Sequence, residues 1–199
     1  MAQALARSRK PLLESALIVL SVLLGFAATA WHDRQQERAL AAEALQSFRR
    51  EISQNLATVE RLRPVHAALA ARLEAEADAA HPNETAFDAF KRSFPASGAS
   101  VPPLADAAWE TAVSTGALRL MRYDRAALLS ETYQVQRTAL PQMAARLDER
   151  LTSPESFDPA RRAAMLRVLA LLFHEVEGQE RYLTDVYHTT LQGLDASRR

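Results

Sequence analysis

The chain has 199 residues with 24 basic and 24 acidic side chains, so it carries no net charge. This balance disfavours nucleic-acid binding, which usually needs a clear basic excess. The absence of cysteine excludes disulfides, thiolate metal sites and cysteine nucleophiles. Alanine and leucine dominate and only 5 residues are glycine, a composition that predicts an all-α protein.

The N-terminal segment carries the one long apolar run of the sequence. Residues 1–11 form a basic tail, and Glu14 is the only charged side chain in residues 12–31. About 20 apolar residues are enough to span the roughly 30 Å hydrocarbon core of a bilayer. Trp31 stands at the far end, where the aromatic belt of a membrane helix lies. The pattern predicts a transmembrane helix over residues 12–31, with Glu14 close to the cytoplasmic headgroups.

A cleaved signal peptide is the competing interpretation of this segment. Ala28, Thr29 and Ala30 form a small-x-small triplet after a basic start and an apolar core, as signal peptidase requires. Two features favour a retained anchor. Glu14 is a poor start for the apolar core of a signal peptide, and residues 31–52 continue as helix formers without glycine or proline.

Charge around the apolar run predicts its orientation. Three basic residues and no acidic one precede the run, whereas the two arginines just after it are diluted by Asp33 and Glu37. The positive-inside rule then places the N-terminus in the cytoplasm and the main domain outside the inner membrane, in the periplasm of a Gram-negative host. Ser21, Gly25 and Thr29 recur every four residues, a face that allows close helix pairing and a homodimer. Small residues are also common in membrane helices that do not pair.

A seven-residue apolar repeat continues from the anchor and predicts a stalk helix over residues 32–79. The repeat consists of Leu45, Ile52, Val59, His66 and Leu73, with Phe48, Asn55, Leu62 and Leu69 on the second stripe. We expect the polar members, Asn55 and His66, to lie at the edge of the stripe and meet water; burial in the seam is the alternative. Pro64 predicts a kink or break near Arg61.

The remaining sequence predicts a loop followed by a bundle. Residues 80–103 are rich in proline and predict a loop with a short helix capped by Asn83. Residues 104–196 predict an antiparallel helical bundle that packs on the stalk. The first predicted helix of the bundle runs from Leu104 to Thr115, with Trp109 and Val113 facing inward and Gly116 as its C-terminal cap. The second runs from Arg125 to about Thr152, with Asp124 as its N-terminal cap and a kink at Pro141. Ser153-Pro154 and Asp158-Pro159 are both predicted helix starts.

The order of these segments resembles a family of bacterial single-pass membrane proteins defined only by a domain of unknown function. The shared features are a glutamate early in the membrane helix, a tryptophan at its exit, an E-I-x-x-N step and an aromatic-E-x-x-x-S-x-G-x-L-x-L-I/M turn. Here these positions are Glu14, Trp31, Glu51-Ile52 with Asn55, and Trp109-Glu110 with Ser114, Gly116, Leu118, Leu120 and Met121. The resemblance implies an N-terminal anchor and a helical domain outside the cytoplasm, and it implies no activity.

Three groups of side chains are candidate sites. His174 with Glu177, and Asp185 with His188, offer metal-ligand pairs, although both pairs lie on one helix and match neither a zincin nor a di-iron pattern. Arg119, Arg122 and Arg125 form a basic patch for an acidic partner or a lipid headgroup, or ordinary surface charge. Trp109, Tyr123 and Tyr133 line a small-molecule pocket or belong to the core.

Together these features predict a membrane-anchored interaction or scaffold protein without enzymatic activity or cofactor. It would act by self-association or by binding an unknown envelope protein. A sensory or small-ligand-binding bundle is the alternative function, motivated by the expected kink at Pro64. A metal-dependent enzyme built on His174, Glu177 and His188 is a third hypothesis.

Overall fold

The computed structural model describes residues 2–95, 101 and 103–196, with side chains from residue 17 onward. The helices are α1 (Ala2–Asp78), α2 (Ala86–Ser93), α3 (Ala107–Thr115), α4 (Tyr123–Thr152) and α5 (Arg162–Ala196). Short 3-10 turns cover Ala117–Leu120, Pro154–Phe157 and Pro159–Arg161. The described part of the chain contains no strand, so the predicted all-α class is confirmed.

Helix α1 carries both the predicted anchor and the predicted stalk. It continues through residues 31–52, where the sequence offers helix formers and no breaker. It also continues through Pro64, so the helix does not break there. Proline removes one backbone hydrogen bond, but Pro64 lies on the exposed side of the helix, while Leu62 and Leu69 on either side are buried in the core. Burial of those neighbours stabilises the helix across the missing bond.

Three long helices form the core: α1 from Phe48 onward, α4 and α5. Helix α5 runs antiparallel to α1, since Arg49 bonds to Leu194 and Arg162 bonds to Glu76 at the other end. Helix α4 runs parallel to α1 and antiparallel to α5. The largest fully buried side chains are Phe48, Ile52, Leu69, Leu73, Leu129, Tyr133, Leu140, Leu166, Leu169, Leu183, Tyr187 and Leu194. The stalk is therefore one wall of the bundle core, and the apolar residues that recur at helical spacing in α4 and α5 are mostly buried against it.

Helix α3 and the following turn form a hairpin with α4 at the end of the bundle nearest the predicted anchor. Gly116 ends α3 with φ of 74°, a left-handed conformation that favours glycine, so the predicted cap is confirmed. Val113 was expected inward but is 52% exposed. The nine-residue α3 instead buries Ala112, because a small side chain allows the short helix to lie close to α1.

Several predicted helix starts lie elsewhere. Helix α4 begins at Tyr123 after an Arg122 cap residue, so Asp124 lies in its first turn. Thr85, rather than Asn83, caps α2 by accepting a 3.1 Å hydrogen bond from the Asp88 backbone N–H. The two Ser/Asp-Pro pairs each begin a 3-10 turn, and α5 starts only at Arg162. Each proline fixes the backbone at the start of a helical turn. The chain between α4 and α5 reverses direction through both turns, so the continuous helix α5 begins only after the second one.

Candidate functional site

A buried polar layer joins α1 to α3 and α4. Glu51 of α1 accepts a 2.7 Å hydrogen bond from the Tyr133 hydroxyl and a 2.9 Å bond from the Ala108 backbone N–H. Ala108 lies in the first turn of α3, whose own cap residue, Asp106, makes no side-chain capping bond. A carboxylate at a helix N-terminus satisfies free N–H groups and interacts favourably with the helix dipole. Glu51 therefore fixes where α3 begins.

Asn55 extends this polar layer to α5. Its side-chain nitrogen donates to the Ala105 carbonyl at 2.7 Å and to Gln136 Oε1 at 3.0 Å, and its oxygen accepts from the Ala105 N–H at 3.0 Å. Gln136 Oε1 also accepts a 2.7 Å bond from the Tyr187 hydroxyl. The expectation that Asn55 meets water is wrong, because Asn55 is only 4% exposed. Its hydrogen bonds to α4 and to the segment before α3 satisfy the amide inside the core.

His66 lies deeper in the same seam. Its Nδ1 is 2.8 Å from Glu180 Oε1 on α5, and both side chains are fully buried. The ring also contacts Phe173, with centroids 5.8 Å apart. The expectation that His66 lies at a wet edge is therefore wrong. A buried imidazole needs a hydrogen-bond partner, and α5 supplies one 114 residues away in the sequence.

The two buried tyrosines make the stability of the fold sensitive to alkaline pH. Burial, followed by the hydrogen bond to and the charge of Glu51, raises the pKa of Tyr133 far above its ordinary value. Burial and then the Glu51 charge also raise the pKa of Tyr187. In the unfolded chain both phenols ionise near pH 10. The native state is thus disfavoured only above that pH, where unfolding releases protons.

We therefore expect the free energy of unfolding to fall above pH 10 by about 1.4 kcal/mol per pH unit for each buried tyrosine. Denaturant unfolding between pH 9 and 11.5 measures this slope. Only two residues are lysine, and arginine stays protonated in this range, so few other groups contribute. A Tyr187→Phe variant removes one of the two sites and should show about half the slope. An unchanged slope in that variant would contradict the assignment.

An ion-pair cluster lies at the end of the bundle farthest from the predicted anchor. The guanidinium of Arg162, at the start of α5, donates to Glu76 Oε2 at 3.0 Å and to Glu84 Oε2 at 2.9 and 3.1 Å. It also donates to the Glu76 and Ala79 carbonyls at 2.7 and 3.2 Å, at the C-terminal end of α1. Arg92 of α2 pairs with both glutamates. The cluster ties α1, α2 and α5 together.

Glu76, His81 and Glu84 place three potential metal-ligand atoms close together in this cluster. Two guanidinium groups already neutralise the two carboxylates. A divalent cation would have to displace Arg162, whose side chain is 5% exposed and hydrogen-bonded to two backbone carbonyls. The geometry therefore favours a structural ion-pair cluster over a metal site.

The two candidate metal-ligand pairs on α5 do not converge. His174 lies 3.2 Å from Glu74, and His188 lies 3.6 Å from Glu60, each against a different part of α1. The fourteen residues between the two histidines correspond to about 21 Å along a helix. Glu177 pairs instead with Arg181. Trp109 is half-buried and stacks on the core residue Tyr133, and both rings line an open cleft of about 300 Å³ beside Arg137. Tyr123 is 88% exposed and does not line this cleft, so the three aromatic side chains do not form one pocket.

An open groove of about 450 Å³ lies between α1 and α3. Its walls are mostly small side chains, and Glu51 lies on its inner surface. The lining residues are Leu40, Glu43, Ala44, Ser47, Arg50, Glu51, Gln54, Ala107, Ala108, Thr111, Ala112 and Thr115. Leu40 is the lining residue of α1 nearest to the predicted anchor, and Thr115 is the last lining residue of α3.

The predicted anchor projects from the bundle. Every side chain from residue 17 to residue 39 is exposed, and this part of α1 is long and apolar enough to cross a membrane. The hydroxyls of Ser21 and Thr29 donate to carbonyls within the helix at 2.8 and 3.1 Å, so neither needs water. Among the described residues, no atom outside the local helix backbone lies within 4 Å of a Cβ placed at Gly25, and Trp31 is exposed. The predicted role of Glu14 lies outside the described side chains.

The predicted basic patch lies at the turn between α3 and α4. Arg119 and Arg122 are exposed, and Arg122 forms an exposed ion pair with Asp124 at 3.1 Å. Arg125 is half-buried. The structure therefore brings these arginines to one end of the bundle, whereas Asn55 and His66 belong to its interior.

Comparison with models of known protein families, with curated proteins and with solved structures finds no match for this chain. The resemblance to a family of single-pass membrane proteins therefore stays a prediction from the quoted residues.

Proposed function

We propose that this chain is a membrane-tethered helical scaffold that binds another envelope protein or a second copy of itself. The observation that carries the proposal is the continuity of α1, which is exposed and apolar in its N-terminal part and forms a wall of the bundle core from Phe48 onward. A single helix that serves both as anchor and as core wall fixes the bundle at a set height above the membrane.

The interior of the bundle supports a binding role rather than a reaction. Its buried polar residues bond to one another and to backbone groups, as Glu51 and Asn55 illustrate. The outer face of α5, in contrast, presents three exposed apolar or aromatic side chains: Val168, Leu171 and Tyr182. Helical spacing places the three side chains within about 60° of one another around the axis of α5. Exposed apolar patches of this kind commonly mark protein interaction surfaces.

Site-specific photo-crosslinking in intact cells tests this role. A photoreactive amino acid at Leu171 should trap a partner protein or a homo-oligomer, because Leu171 is the most exposed of the three side chains, at 59%. The same group at Gln142, an exposed position of α4, serves as the matched control. The scaffold proposal fails if neither position traps any protein.

A small-ligand-binding bundle is the second candidate function. The groove between α1 and α3 favours it, since its volume falls in the usual range for ligand sites and Glu51 connects its wall to the start of α3. A ligand in this groove would stabilise the folded chain in a saturable manner. Thermal unfolding in the presence of metabolite mixtures measures that effect, and an unchanged melting temperature would remove this candidate.

A further inference from the structure

The turn between α3 and α4 lies at the end of the bundle that faces the anchor. Helix α3 begins at the level of Glu51, which bonds to Ala108, and extends toward the N-terminal part of α1, where Thr115 and Leu40 line the same groove. Helix α4 then runs back up, since Tyr133 bonds to Glu51. Residues 116–125, here named the basic tip, form the lowest point of this hairpin.

Chemistry at the basic tip differs from that of an ordinary polar turn. Arg119 and Arg122 are exposed and flank Leu120, which is 37% exposed. Tyr123 follows at 88% exposed. Arginine with exposed aromatic and aliphatic side chains is the combination that lies well at a membrane surface, where charge meets phosphate and the apolar parts meet the headgroup layer.

The height of the basic tip above the bilayer follows from the helix rise. The nine residues from Trp31 to Leu40 correspond to about 14 Å along α1. Headgroup layers extend about 6 Å beyond the hydrocarbon core, and membrane helices tilt by about 20° on average. If α1 tilts toward the basic tip, an extended arginine side chain there reaches the headgroup layer. Without this tilt, the arginine charges still lie within about one Debye length of the headgroup layer.

We propose that the basic tip rests on the membrane surface and binds the phosphate groups of anionic phospholipids through Arg119 and Arg122, with Leu120 and Tyr123 in the headgroup layer. The exposed pair of Arg122 with Asp124 does not oppose this contact, because exposed ion pairs contribute little and exchange readily. The inference rests on the membrane anchoring proposed above. It names a second contact that would hold the bundle in one orientation.

Fluorescence quenching in lipid nanodiscs tests the proposal with the full chain. Because the chain contains no cysteine, Ser114→Cys places a single dye beside the basic tip, and Ala80→Cys places it at the opposite end of the bundle. Discs of phosphatidylcholine, with or without phosphatidylglycerol, carry a headgroup-attached quencher. We expect strong quenching at position 114 in the anionic discs, less at high salt, and little at position 80.

The arginines are tested by a matched pair of double variants in the Ser114→Cys background. Each arginine near an anionic surface shifts the docked-to-undocked ratio by about fivefold, so R119Q/R122Q should lower that ratio by about 30-fold. R167Q/R181Q removes the same charge from exposed positions of α5 and should leave quenching unchanged.

Two outcomes would overturn the inference: quenching at position 114 no stronger than at position 80, or R119Q/R122Q behaving like the unchanged chain. If the chain co-purifies with the discs, either of these results overturns the lipid contact of the basic tip but not the proposed membrane anchoring. A chain that does not insert into discs at all would instead overturn the anchoring itself. A photo-crosslinker at Tyr123 that traps a protein in cells, without lipid quenching, would assign the basic tip to a protein partner.

Discussion

An Arg162→Ala variant is expected to lose about 3 kcal/mol of unfolding free energy, because removing one member of a buried ion pair leaves its partners uncompensated. Glu76 and Glu84 would keep the Arg92 partner on the exposed side of the cluster, and Glu76 would also keep His81 at 3.9 Å. The Glu76 and Ala79 carbonyls would also lose a donor at the end of α1. In thermal unfolding followed by circular dichroism, this loss lowers the melting temperature by about 10 °C.

Two further variants separate charge from geometry at this site. Arg162→Lys keeps the charge but cannot make the same set of bonds, so we expect an intermediate loss of about 2 kcal/mol. Arg167→Ala removes a guanidinium that is 62% exposed and pairs with the exposed Asp78, and its cost should stay below about 0.5 kcal/mol. An Arg162→Ala chain as stable as Arg167→Ala would show that the cluster does not hold the helices together.

A His66→Leu variant is expected to be destabilised by about 3 kcal/mol, since it leaves the Glu180 carboxyl fully buried without its imidazole partner. The other carboxyl oxygen, Glu180 Oε2, already has no hydrogen-bond partner within the described residues. Replacing both residues removes the buried polar groups together. We therefore expect His66→Leu/Glu180→Leu to recover at least about 2 kcal/mol of the loss.

Denaturant unfolding of the two single variants and the double variant gives the coupling energy of the pair. Leucine is close to both side chains in volume, so the double variant tests polarity more than packing. Additive effects in the cycle would contradict a direct interaction between His66 and Glu180. A fully recovered double variant would indicate that the pair contributes specificity of helix register rather than net stability.

Local pattern was sufficient to predict the long helices and most of their buried faces. The helical repeat alone places Leu129 and Leu140 on one face of α4 and Leu169 on an apolar face of α5, and all three are buried. The helix formers after Trp31 likewise predict the continuity of α1. The short α3 was harder, because its inward face rests on Ala112, a residue too small to stand out in an apolar pattern.

The polar interior could not be predicted, because its partners lie far apart in the sequence. Gln136 is 81 residues from Asn55, and Glu180 is 114 residues from His66. When those partners are unknown, a polar residue in an apolar stripe is predicted to lie at the solvent-exposed edge of the stripe, because polar side chains are mostly exposed. The buried position of Arg162 could not be predicted either, because a basic residue after a Pro-containing turn is common in sequences. Its partners on α1 become neighbours only when α5 packs antiparallel to α1. The E-I-x-x-N step did single out Glu51 and Asn55, but only as a resemblance without a role.

The tether itself is tested most directly by locating the intact chain. A periplasm-active reporter is fused to the C-terminus, membrane and soluble fractions are separated, and the intact mass is measured. We expect an active reporter in the membrane fraction at full-length mass, with the bundle outside the cytoplasm. A soluble, active product that lacks residues 1–30 would show cleavage after Ala28-Thr29-Ala30 and would contradict the membrane-tethered scaffold.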